Sequence, residues 1–99
     1  MFVIVIDYIA DLPDIDAALE EHIAWLDKHY SDGTFLASGR QEPRTGGVIF
    51  AHGSRATVEA AVADDPFATR GLARHRVINF RPSRFAGPLA TEPVQQALA

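Results

Sequence analysis

The N-terminal run Phe2-Val3-Ile4-Val5-Ile6 is apolar on successive residues. Side chains of a strand point alternately to opposite faces, so such a run needs apolar cover on both sides. Val3 and Val5 oppose Phe2, Ile4 and Ile6, and Val48 and Phe50 oppose Ile49 in the second such run, Val48-Ile49-Phe50-Ala51. Whatever fold this chain adopts must therefore bury a sheet from both faces.

The remaining segments narrow the choice. Asp11-Leu12-Pro13-Asp14 is a helix-start signal, with a cap, an early proline and first-turn acids. Ile15, Leu19, Ile23, Leu26 and Tyr30 then recur at spacings of three and four, which predicts an amphipathic helix over 13–31. Asp32-Gly33 closes it, with Gly33 suited to a left-handed cap. Strands are expected at 2–9, 34–38, 48–51 and 74–82, with a polar connection over 39–47. Ser54 is the expected cap of a second helix over 55–64, ended by Asp64-Asp65-Pro66-Phe67. Residues 83–99 read as an extended arm with a short helical end at 94–98.

The order is strand, helix, strand, strand, helix, strand. Two split β-α-β units of this kind give an α+β ferredoxin-like sandwich, an antiparallel four-stranded sheet with both helices on one face. The other face would then expose several apolar side chains, a patch of roughly several hundred Å2 that monomers seldom tolerate. The expected solution is a homodimer with two sheets packed face to face, the chain's own tail being the competing cover.

Composition excludes several classes. There is no cysteine, so disulfide frameworks, thiolate zinc sites and cysteine nucleophiles are out. A formal net charge of −4 disfavours a general nucleic-acid binder. No stretch approaches the roughly 20 apolar residues of a membrane span, and the N-terminus has no basic segment ahead of its apolar run, so a cytoplasmic protein is expected.

Among chemistry-bearing residues, His22 stands out. It lies three after Leu19 and four before Leu26, at the edge of the apolar stripe, where an imidazole can pass protons near neutrality. The plainer reading is a core-edge histidine satisfied by a carbonyl. Asp65 before Pro66 is ordinarily a helix cap. Turned toward His22, its carboxylate would fix the tautomer and raise the basicity of the ring. Ser38 and Gly39 offer a hydroxyl and close backbone approach, and Trp25 is a candidate pocket wall or interface residue. Arg40, Arg44 and Arg74 could hold an anion, although solvated charge is the default. His29, His52 and His75 show no ligand spacing, and no metal motif, phosphate loop or Ser-His-Asp order is present.

Taken together, the run His22-Ile23-Ala24-Trp25-Leu26, the segment Gly33-Thr34-Phe35-Leu36-Ala37-Ser38-Gly39, the segment Thr45-Gly46-Gly47-Val48-Ile49, and Asp64-Asp65-Pro66-Phe67 with Gly71 resemble the YciI-like (YCII-related) family. The resemblance covers residues 1–84 and leaves 85–99 as a C-terminal extension. It implies a ferredoxin-like subunit in a dimeric α+β barrel. It also implies a His–Asp acid/base pair in a pocket, here His22 and Asp65, with Ser38 near it. The family is similar to muconolactone isomerase, and one branch acts as a dehydrochlorinase on chlorinated hydroxyhydroquinones.

Three functions stay open at this level. The first is a cofactor-free isomerase or lyase acting on a small cyclic or aromatic metabolite. The second is a non-catalytic small-molecule binder, and the third is an interaction module that presents its tail.

Overall fold

A computed structural model describes residues 1–98. The elements run β1 (Phe2–Tyr8), α1 (Leu12–Ser31), β2 (Phe35–Arg40), β3 (Gly46–Ala51), α2 (Arg55–Ala63), α3 (Pro66–Thr69) and β4 (Ala73–Asn79). A 3-10 turn (Gly87–Leu89) and α4 (Glu92–Leu98) follow. The four strands form one antiparallel sheet in the order β2-β3-β1-β4. This is the expected ferredoxin-like arrangement.

Local chemistry explains most boundaries. Pro13 lies in the first turn of α1, where its missing N–H costs nothing, and Gly33 ends that helix at φ +84°. Asp11 caps α1 by its backbone carbonyl, which accepts from Asp14 and Ile15. Ser54 caps α2 through its hydroxyl, which accepts from Thr57 N–H at 3.1 Å.

The core lies between the sheet and the helices. Phe2, Ile4 and Ile6 of β1 join Ile49 and Ala51 of β3 against Ile15, Val58 and Phe67. Each large apolar side chain buried there contributes about 1.5–3 kcal/mol.

Three expectations are corrected. The inward seam of α1 is Ile15, Ala18, His22, Trp25 and His29, not the apolar stripe through Leu19, Ile23 and Tyr30. Ile23 and Tyr30 are exposed, while Leu19 and Leu26 are only partly buried. The helix is rotated because its aromatic and imidazole rings fill the space over the sheet, and Leu19, Ile23 and Leu26 flank a hollow. Second, the strand at 34–38 continues to Arg40, since Ser38, Gly39 and Arg40 pair with Ile49, Val48 and Gly47. The connection shrinks to 41–45. Third, β4 stops at Asn79 instead of 82, beyond which Phe80 N–H bonds the Met1 carbonyl and Pro82 offers no donor.

The opposite sheet face is only partly covered. Phe50 and Ile78 are exposed there, as is Leu36, pushed out at the β2 bulge. The tail reaches one corner, where Phe85, Leu89 and Leu98 join Leu36 and Phe50 around an apolar groove. Among the described residues, no helix is long and apolar enough to cross a membrane.

Candidate active site

Asp65 begins the site. It caps α3, accepting from Phe67 N–H through Oδ1 at 3.0 Å. Pro66 holds the turn, and the carboxylate enters the protein completely buried. The same oxygen lies 2.8 Å from His22 Nδ1, and the other oxygen lies 2.6 Å from His75 Nε2. One carboxylate therefore both caps α3 and holds two imidazole rings.

Its electrostatics follow from these contacts. Burial pushes the carboxyl up, but hydrogen bonds from His22 and His75, the charge of His22 and the Phe67 N–H together hold it below the ordinary carboxylate range. Asp65 is thus ionised near neutrality and can only accept. Both facing ring nitrogens then donate, His22 through Nδ1 and His75 through Nε2. In the neutral form of His22 the free lone pair is therefore on Nε2.

The imidazole of His22 packs against two aromatic rings. It stacks on the Phe67 ring at 4.0 Å and 6° between planes, and the Trp25 ring lies 5.3 Å away, tilted by 33°. Phe67 is in turn held edge-on by Tyr8 at 5.8 Å. A ring fixed by packing and one directed hydrogen bond needs little rearrangement to act as a base.

His22 borders a hollow of about 180 Å3. Its walls are mainly apolar, including Ile6, Leu19, Ile23, Leu26 and Phe67. Ser38, Gly39 and Arg40 of β2 and Tyr8 of β1 add polar atoms. A dry cavity of about 150 Å3 holds benzene, so this space suits one substituted six-membered ring. Gly46 and Gly47 form part of the floor. A Cβ on Gly46 would overlap the Ile6 carbonyl, so only glycine lets β3 approach β1 there.

The expected site residues are thus sorted. His22, Asp65, Ser38 and Gly39 meet around one hollow, with Asp65 behind His22. Ser38 also bonds the Tyr30 hydroxyl. Trp25 is not on the wall: its indole N–H donates to the Ala61 carbonyl at 2.9 Å, and its ring meets Phe35 edge-on. Of the three arginines, Arg40 reaches the hollow, while Arg44 is held by Asp16 at 2.5 Å. Arg74 sits on the opposite sheet face from His75 by strand alternation. Among the described residues, no group of three His, Asp or Glu side chains has the geometry of metal ligands.

His75 is the residue that the sequence reading missed. The signal lay in alternation: Ala73, His75 and Val77 face the helices, and Arg74 and Arg76 face away. An inward histidine between outward arginines is a buried polar group in need of a partner.

A solved structure with a similar fold is the 5-chloro-2-hydroxyhydroquinone dehydrochlorinase of Burkholderia phenoliruptrix AC1100, in complex with 2,5-dihydroxybenzoquinone. It superposes with a TM-score of 0.68 at 18% sequence identity, covering 84% of this chain and 96% of that one. At this identity the likeness concerns the fold. No curated protein sequence matches this chain significantly. The order of the strands, the Asp-Pro-Phe turn behind His22 and the Gly46-Gly47 floor all lie within residues 1–81, which match the model of the YCII-related domain, and the chain belongs to that family.

Proposed function

We propose that this protein is a cofactor-independent acid/base enzyme of isomerase or lyase type, dehydrochlorination included, acting on a small cyclic or aromatic metabolite. His22 Nε2 takes a proton from a ring bound in the hollow, and Asp65 stabilises the imidazolium that forms. The same nitrogen can return the proton elsewhere on the ring, or retain it while a leaving group departs. Ser38 and the backbone around Gly39 orient the polar substituents. A base of this kind contributes about 10²–10⁴-fold to the rate.

The observation that carries this reading is the buried, ionised Asp65 fixing the tautomer of a histidine that borders a ring-sized space. The bound quinone of the structural neighbour supports the substrate class, since it too is a single oxygenated ring. The test is a panel of hydroxylated and chlorinated single-ring compounds incubated with protein in deuterated buffer. Products are read by mass spectrometry and binding by thermal shift. Product formation or deuterium uptake lost in His22→Ala supports the reading. Compounds that bind and are recovered chemically unchanged, neither isomerised by chromatography nor altered in mass, identify a binding protein instead.

We also infer that two copies pair through the sheet face bearing Phe50 and Ile78. Both residues are exposed although the surrounding strands are apolar, and the tail reaches only one corner. Sedimentation showing a monomer at micromolar concentration would rule this out.

A further inference from the structure

We infer that His75 is a positioning residue that sets the pH at which His22 becomes available as a base. This inference rests on the reading of His22 as the proton acceptor. His75 does not border the hollow, so its action passes through Asp65.

The geometry carries the argument. Asp65 has no solvent to stabilise its charge, and its two oxygens are divided between two imidazoles. The His75 side chain is itself nearly buried, at 6% exposure, and enters from β4, an edge strand of the sheet. Oδ1 already serves His22 and the Phe67 N–H, so His75 supplies the donor at Oδ2.

His22 and Asp65 share a hydrogen-bonded proton, so the pair is treated as one unit. The base-ready form of that unit carries one negative charge. The protonated form is neutral, whether its proton resides on the ring or on the carboxyl. A donor at Oδ2 stabilises the negative form more than the neutral one and so lowers the pH at which the base is free. Removing the donor must move that midpoint upward. The charged and titratable groups facing the unit are few. From α1 comes His22, and from β4 comes His75. Tyr8 of β1 and Arg40 of β2 border the hollow. Asp64, beyond the end of α2, is exposed, and Glu21 of α1 is paired with Arg70 at the surface.

The division of labour is specific. A histidine present only to fill space could be replaced by another ring without consequence for His22. A histidine acting as a donor could be replaced by an amide that reaches the same oxygen. Phenylalanine and glutamine separate these possibilities at position 75.

The experiment is a 15N-NMR titration of the His22 ring in wild-type protein, His75→Phe and His75→Gln, without any substrate. The expected result is a midpoint raised by about one pH unit or more in His75→Phe and within a few tenths of wild type in His75→Gln. An unchanged or lowered midpoint in His75→Phe overturns the inference. The wild-type spectrum gives a second test that no folding defect can affect. At pH 8 the His75 proton must reside on Nε2, and a proton on Nδ1 overturns the inference as well. Loss of turnover is not used here, so failure of the catalytic reading and failure of this one are distinguishable.

Discussion

His22 Nδ1 lies 2.8 Å from Asp65 Oδ1, although the two residues are 43 positions apart in the chain. One belongs to the inward seam of the long helix and the other to a proline turn after the second helix. The contact joins the two halves of the repeated β-α-β fold. It also sets the buried carboxylate of a helix cap behind the His22 ring. Several consequences can be measured.

Replacing Asp65 by Asn removes the negative charge but keeps the shape. The amide cannot fix both histidines as donors, so His22 loses its preferred tautomer. Turnover on any substrate found should fall by about 10²–10⁴-fold while KM changes little. A large rise in KM with unchanged kcat would mean that Asp65 serves binding.

Acid should weaken the native state through the same carboxylate. Its folded value lies below the ordinary 3.8, so its contribution to stability is fully present above that value. The contribution is lost as pH falls through the lowered folded value. Urea midpoints of wild type and Asp65→Asn should therefore converge as pH drops below about 4. A constant gap down to pH 2 would contradict the direction of the shift. Truncation to Ala leaves two buried imidazole N–H groups without their acceptor and should cost about 1–3 kcal/mol for each near neutrality.

Phe67 supports the His22 ring from below and is 1% exposed. Phe67→Ala should destabilise the protein by about 3–5 kcal/mol. It should also broaden the His22 ring signals, because the imidazole gains room to turn. Unchanged signals would show that the hydrogen bond to Asp65 alone suffices to hold the ring.

The proposed pairing of two sheets predicts that a charge on the exposed face disrupts assembly. Phe50→Glu should shift the protein to monomer in sedimentation without lowering helix content by circular dichroism. A variant that sediments like wild type would place the dimer contact elsewhere or remove it.

Much of this was legible in the sequence, and the exceptions have physical causes. Pro13, Gly33 and Ser54 mark helix ends because they act on neighbouring backbone groups only. His22 and Asp65 could be chosen as candidates, but their meeting depends on how two helices pack over one sheet. The strand state of Gly39-Arg40 was hidden because a polar, glycine-bearing segment has no strand preference; pairing with Val48 and Gly47 supplies it. The seam of α1 departs from the apolar stripe because apolarity alone does not decide burial. Ile23 instead borders an open hollow, while His22, Trp25 and His29 lie inward. His75 escaped notice because its partner is a side chain from a distant turn.

The most direct test of the account is the rate ratio between wild type and His22→Gln on the best-converted compound of the single-ring panel, measured at matched thermal stability. Glutamine retains the size and a hydrogen-bonding amide but has no basic nitrogen. The account predicts that kcat falls by about 100-fold or more with binding retained. Rates within about threefold of each other would contradict it, because they lie far below the contribution of a placed base.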